Sequence, residues 1–117
     1  MQNDSPLKLE FLNGKNGQSW VVRATGPITL SNLFQFQSEL RSHDDRKTMI
    51  LDLCGVPYMD SAGMGAVVNF FTHCERVGHK LIVAGVSQRV LELFKMTRVN
   101  TIIPIVGSIE EAESRIG

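Results

Sequence analysis

The sequence predicts an α/β domain: an N-terminal hairpin leading into a mixed, mainly parallel sheet packed by about four helices. Three observations carry that prediction. An alternating apolar pattern repeats on either side of a turn cluster near the N-terminus. Two nearly continuous apolar runs, KTMILDL (47–53) and KLIVAGV (80–86), suit strands covered on both faces. Segments of helical periodicity alternate with them to the end of the chain, as crossover connections in a parallel sheet require.

Each element follows from its own pattern. Leu7, Leu9 and Phe11 alternate with Lys8 and Glu10, and after NGKNG (13–17) Trp20, Val22 and Ala24 alternate again, which reads as a hairpin. Gly26-Pro27 ends the second strand. Ser31 precedes a helix with Leu33, Phe36 and Leu40 on one face. Between the two apolar runs a helix is expected from about Ser61 to Val77, with Val67, Phe70, Phe71 and Cys74 on its apolar side and Gly78 just past its end. Ser87 starts a short helix that buries Val90, Leu93 and Phe94. TIIPIV (101–106) reads as a last strand, demoted to an edge by Pro104. Ser108-Ile-Glu-Glu111 is a capping box opening a final helix.

Composition narrows the function classes. A chain of 117 residues with no linker or repeat is read as a single domain, 1–117. Lys plus Arg and Asp plus Glu number 12 each, so there is no basic footprint for nucleic acid or an acidic membrane surface. The N-terminus MQNDSPLKLE lacks the apolar core of a signal peptide, and no apolar stretch approaches the ~20 residues of a spanning helix. A cytoplasmic protein without membrane insertion is expected. Cys54 and Cys74 form no Cys-x-x-Cys and are expected to be buried thiols. His43, His73 and His79 have no metal-ligand spacing, and no cofactor is implied.

MDSAGMG (59–65) is the chain's most pointed segment. Serine precedes or opens several of the expected helices, so Ser61 reads first as an N-cap. Gly63 and Gly65, however, fall in the first turns of a helix, where glycine costs about 0.5–1 kcal/mol relative to alanine. Small residues there let a partner or an anion approach the exposed N–H groups, and the positive helix N-terminus favours a phosphate. A phosphoryl group on Ser61, beside Asp60, would change the surface a partner meets without unfolding the helix. Ser61 therefore reads as a cap or as a charge switch. A third reading is a small-ligand or nucleotide site on the amides of residues 62–64. Catalysis fits poorly: Val68 stands where a dinucleotide fingerprint needs its third glycine, no Walker-type lysine follows, and His73 lies about three turns along the same helix from Ser61. The chain is not expected to be an enzyme.

The residues from Lys47 to Lys80, with the D-S-x-G-x-G motif inside them, resemble the core of a STAS domain, the fold of bacterial anti-sigma factor antagonists. The resemblance extends to the hairpin, the Gly-x-Ile turn at 26–28 and the C-terminal LIVAGVSQRVLELFKMTRVNTIIPIVGSIEEA. It implies that Ser61 is phosphorylated by a partner, an anti-sigma factor that is also a serine kinase. It implies further that the unphosphorylated domain binds that partner and frees its sigma factor, and that the phosphorylated form lets go. Asp60, Ser61, Ala62, Gly63, Met64 and Gly65 would border the contact, with Met64 either at the surface or in the core. Many antagonists carry Gly-Glu-Ile/Leu-Asp before the first helix. This chain has Gly26-Pro27-Ile28-Thr29, which places Thr29 near where the kinase docks in the family arrangement. STAS domains also serve as stressosome scaffolds and as subunits of phospholipid or anion transport complexes. In such a role Ser61 would only cap its helix. Oligomeric state is left open.

Overall fold

The computed structural model of the chain describes residues 6–15 and 17–116. Residues 1–5, Asn16 of the hairpin loop and Gly117 lie outside the described residues. The hairpin forms as its alternation predicts: β1 (Lys8–Asn13) and β2 (Ser19–Thr25) are antiparallel, with Phe11 opposite Val22. Gly14 N–H donates to the Ser19 carbonyl at 2.9 Å to close the loop. The two apolar runs become β3 (Thr48–Gly55) and β4 (Lys80–Ala84), parallel to each other and to β2. β5 (Ile105–Val106) completes a five-stranded sheet of order β1-β2-β3-β4-β5.

That order advances one strand at a time, so right-handed crossovers must place every connecting helix on one face. α1 (Leu33–Arg41), α2 (Ser61–Arg76) and α3 (Gln88–Met96) accordingly share one core with the sheet. Phe36, Leu40, Val67, Phe70 and Phe94 meet Val22, Leu51, Leu53 and Val83 there, all essentially fully buried. α4 (Ile109–Ile116) returns over the opposite face, where Ala112 packs among Val21, Ile50, Ile82, Ala84 and Val106. Both faces of β3 and β4 are thereby covered, which is why those strands read as unbroken apolar runs.

Helix ends follow local chemistry. α2 stops in a paired 6→1 and 5→2 arrangement: His79 N–H donates to the Cys74 carbonyl at 2.8 Å and Gly78 N–H to Glu75 at 3.3 Å, with Gly78 at φ +80°. Ser87 caps α3 through Val90 N–H at 3.3 Å. Ser108 accepts from Glu111 N–H at 3.1 Å, while the Glu111 carboxylate reaches back to Gly107 N–H at 3.0 Å.

Four expectations are corrected. α1 starts at Leu33 rather than at a Ser31 cap: Asn32 holds the cap position, but its side chain turns back, its Oδ1 accepting from Thr29 N–H at 2.9 Å and its Nδ2 donating to the Pro27 carbonyl at 2.9 Å. α2 starts with Asp60, not Ser61, as its cap. The strand expected over 101–106 shrinks to two residues, because Val99–Thr101 winds into a single 3-10 turn. The N–H groups of Thr101, Ile102 and Ile103 bond back to Arg98 and Val99, which leaves nothing for a ladder. Cys54 is exposed at the end of β3, whereas Cys74 is buried as expected, its thiol pushed up to about 11 by burial and by Asp44 and Glu75.

Candidate functional site

The segment between β3 and α2 is fixed by three crossings to neighbouring loops. Gly26 N–H donates to the Gly55 carbonyl at 3.0 Å, and Ser87 Oγ donates to the Val56 carbonyl at 3.5 Å. Ile28 and Met59 form an isolated parallel bridge, with Ile28 N–H on the Tyr58 carbonyl and Asp60 N–H on the Ile28 carbonyl, both at 3.3 Å. The bridge keeps the chain extended through Asp60 (φ −90°, ψ −177°), and the helix begins at the next residue.

Asp60 then uses both carboxylate oxygens. Oδ1 accepts from Gly63 N–H at 2.8 Å and so caps α2, while Oδ2 accepts from Leu30 N–H at 3.1 Å. One side chain thus ties the loop before α1 to the start of α2. With the cap supplied by its neighbour, Ser61 stands at the first helical position, exposed, and its hydroxyl enters no hydrogen bond among the described residues.

The two glycines differ in purpose. Gly63 is buried, and a β-carbon on it would lie 2.0 Å from the Ile28 carbonyl oxygen and 2.7 Å from its carbon. Its bare backbone is needed inside the molecule, for the bridge to pass beneath the helix. Gly65 is exposed, with nothing within 4 Å of a β-carbon built there, so it leaves open surface one turn from Ser61.

The other sequence-predicted residues gather on the same end. Ala62 is half-buried. Met64 is half-buried against the core, its sulfur accepting from Thr97 Oγ1 at 3.1 Å just beyond α3. Thr29 is half-buried, with its hydroxyl 2.9 Å from that of Ser31. Sequence reasoning missed the apolar residues bordering them: Leu30 is 68% exposed, Tyr58 40% and Met96 82%. Leu30 follows Thr29 with its N–H on Asp60, Met96 precedes Thr97, and the Arg89 guanidinium lies 5.2 Å over the Tyr58 ring. Phe34, 78% exposed in the first turn of α1, had a readable signal: it falls off the Leu33, Phe36, Leu40 face.

The histidines collect elsewhere. The Asp44 carboxylate, in the loop between α1 and β3, meets His73 Nε2 at 3.0 Å and His79 Nδ1 at 3.1 Å, at the far end of α2. His43 stacks on Phe11 at 3.5 Å between ring centroids. Beside it Arg46 lies 3.6 Å over the Trp20 ring, and the indole N–H donates to Asp45 at 2.8 Å, holding that carboxyl below its ordinary value. No histidine therefore serves Ser61 as a base. Clefts of about 470 and 430 Å³ open beside α4, and neither is lined by residues 58–65. No helix among the described residues is long and apolar enough to cross a membrane.

Comparison with known proteins agrees with this architecture. The family model of the STAS domain matches residues 13–112. An anti-sigma-B factor antagonist of Listeria monocytogenes is 38% identical over 55 residues, so the match spans about half of either chain (47% of this one and 48% of the relative). Among solved structures, the anti-sigma factor antagonist SpoIIAA in its unphosphorylated form superposes with a TM-score of 0.75 at 21% identity, over 95% of this chain and 96% of that one. Its phosphorylated form from Bacillus gives 0.69 at 20%, over 96% and 100%. The murine anion transporter Slc26a9 gives 0.73 at 19%, over 81% of this chain but 17% of the transporter. At such identities the structural matches speak for the fold.

Proposed function

The chain belongs to the STAS domain family, and on that premise we propose that it is a non-enzymatic, cytoplasmic anti-sigma factor antagonist, switched off by phosphorylation of Ser61. One observation carries the reading: Asp60 caps α2, which leaves the Ser61 hydroxyl exposed and unbonded at the helix N-terminus. A serine needed as a cap would have its oxygen engaged by the helix. This one is open to a kinase.

The partner is an anti-sigma factor with serine kinase activity, which docks on Thr29 and on Asp60 through Gly65. Leu30, Tyr58 and Met96 supply apolar contact around that centre. The kinase transfers the γ-phosphoryl group of ATP to Ser61 Oγ, releasing ADP and the hydroxyl proton. The helix N-terminus tolerates the new charge of about −1.5 to −2. The partner does not, because the charge arrives beside the Asp60 carboxylate in the centre of the contact.

Intact mass spectrometry after incubation with ATP and an extract of the source organism tests the switch. One phosphate is expected on the wild type and none on Ser61→Ala. Ser61→Glu is expected to bind the recovered anti-sigma factor at least about tenfold more weakly, with the unfolding midpoint nearly unchanged. Equal binding by wild type and Ser61→Glu would overturn the reading.

A second reading has its own support: the Gly26-Pro27-Ile28-Thr29 loop carries no acid, and the fold recurs within an anion transporter. Under it the domain is a constitutive scaffold or accessory subunit, no kinase acts on Ser61, and a transport or stressosome component is the stable partner.

A further inference from the structure

The two edges of the sheet are unlike. At one, β5 offers only two residues, too short a strand for further pairing. At the other, β1 runs for six residues. Its bonding parity follows from the hairpin closure. Because Gly14 N–H donates to Ser19, alternation gives residues 8, 10 and 12 the bonds to β2 and turns the N–H and C=O groups of 7, 9 and 11 outward. Gln35 Nε2 donates to the Leu7 carbonyl at 3.0 Å from that outer side, as the parity requires. The outward backbone groups of Leu9 and Phe11 meet no other strand among the described residues.

Side chains sort with the same parity. Leu7, Leu9 and Phe11 face the helical layer, while Lys8 and Glu10 stand exposed on the α4 side and form no ion pair among the described residues. Arg23, which the register sets opposite Glu10, leans instead toward Asp52 at 3.7 Å.

We propose that β1 is a homodimer interface, pairing antiparallel with β1 of a second copy about a two-fold axis at Leu9. In that register Leu9 faces Leu9, Leu7 faces Phe11, and each Lys8 faces a Glu10 of the other copy. The outward N–H and C=O groups of Leu9 bond reciprocally, and two sheets become one. The charges also select the register. A slip of two residues one way opposes Lys8 to Lys8, and the other way Glu10 to Glu10, and like charges directly opposite are destabilising. A partner with its own sequence would have no reason to meet this self-complementary order. The zero formal net charge adds no long-range repulsion between copies.

Sedimentation velocity across a concentration series tests the proposal. The wild type is expected to dimerise. Lys8→Glu and Glu10→Lys each act twice by symmetry and are expected to weaken self-association about tenfold or more, and the double reversal restores it. Leu9→Pro removes an outward N–H that the monomer's ladder does not use, and abolishes the dimer while the circular dichroism spectrum stays folded. A wild type monomeric at its highest soluble concentration overturns the proposal. So does a dimer indifferent to the single reversals, or one the double reversal fails to restore. A reversal that unfolded the chain would also overturn it, because it would show that Lys8 or Glu10 is not on a free edge.

Discussion

Asp60 serves two segments with one carboxylate, and the two contacts have different consequences. Its Oδ1 satisfies an N–H at the start of α2, and its Oδ2 holds the backbone of Leu30. Asp60→Ala should therefore cost about 1–2 kcal/mol of stability, most of it the loss of the cap, because the Leu30 amide that also loses its acceptor is exposed to water. Ser61→Ala should change stability by no more than about 0.5 kcal/mol, since its hydroxyl is unbonded. Urea denaturation of the two variants measures both. Equal losses would mean that the serine shares the capping. Sequence alone could not separate these neighbours, because aspartate and serine are both good caps. The choice is made by the Ile28–Met59 bridge, a contact between segments 31 residues apart that leaves no local signature.

At the level of elements, most of the molecule was legible. The hairpin, both apolar strands, α2 with its terminal Gly78 and the Ser87 and Ser108 caps all follow from local periodicity and end chemistry. The failures share a cause. Residues 101–103 have the composition of a strand, but their N–H groups are already bound to the preceding turn. Cys54 belongs to an apolar run but lies beyond the reach of α4. The motif glycines show the same limit, since sequence gave both one role and the packing gives them two. Gly63→Ala should destabilise by about 2–4 kcal/mol, as its β-carbon must displace the Ile28 backbone. Gly65→Ala should stabilise α2 by up to about 1 kcal/mol, as the space around it is open. Thermal unfolding of the pair decides this, and Gly65→Ala is the variant that leaves the fold undisturbed for testing the partner contact.

At the scale of the whole molecule, α2 separates two poles. One holds Ser61 at the end of the sheet where the parallel strands finish, laced from the loops after β2, β3 and β4. The other is pinned by Asp44 between His73 and His79. Asp44→Ala should lower stability by about 1–2 kcal/mol, while partner affinity and the phosphorylation of Ser61 stay as in the wild type. Coupled losses in both assays would show that the poles communicate. The one-strand-at-a-time sheet order has a further consequence for how such a domain can diversify. α1 and α2 each span from one pole to the other, so a change at the Ser61 end alters what is touched there without shifting the register of any strand. An insertion in the Asp44 loop would have to break two side-chain bonds before it could be accommodated. New specificities are therefore accessible to this fold at a single end, and grafting experiments that change its partner should begin with the exposed Leu30 and Ser31 side chains, keeping the backbone bonds of Gly26, Ile28 and Leu30 to Gly55, Tyr58 and Asp60.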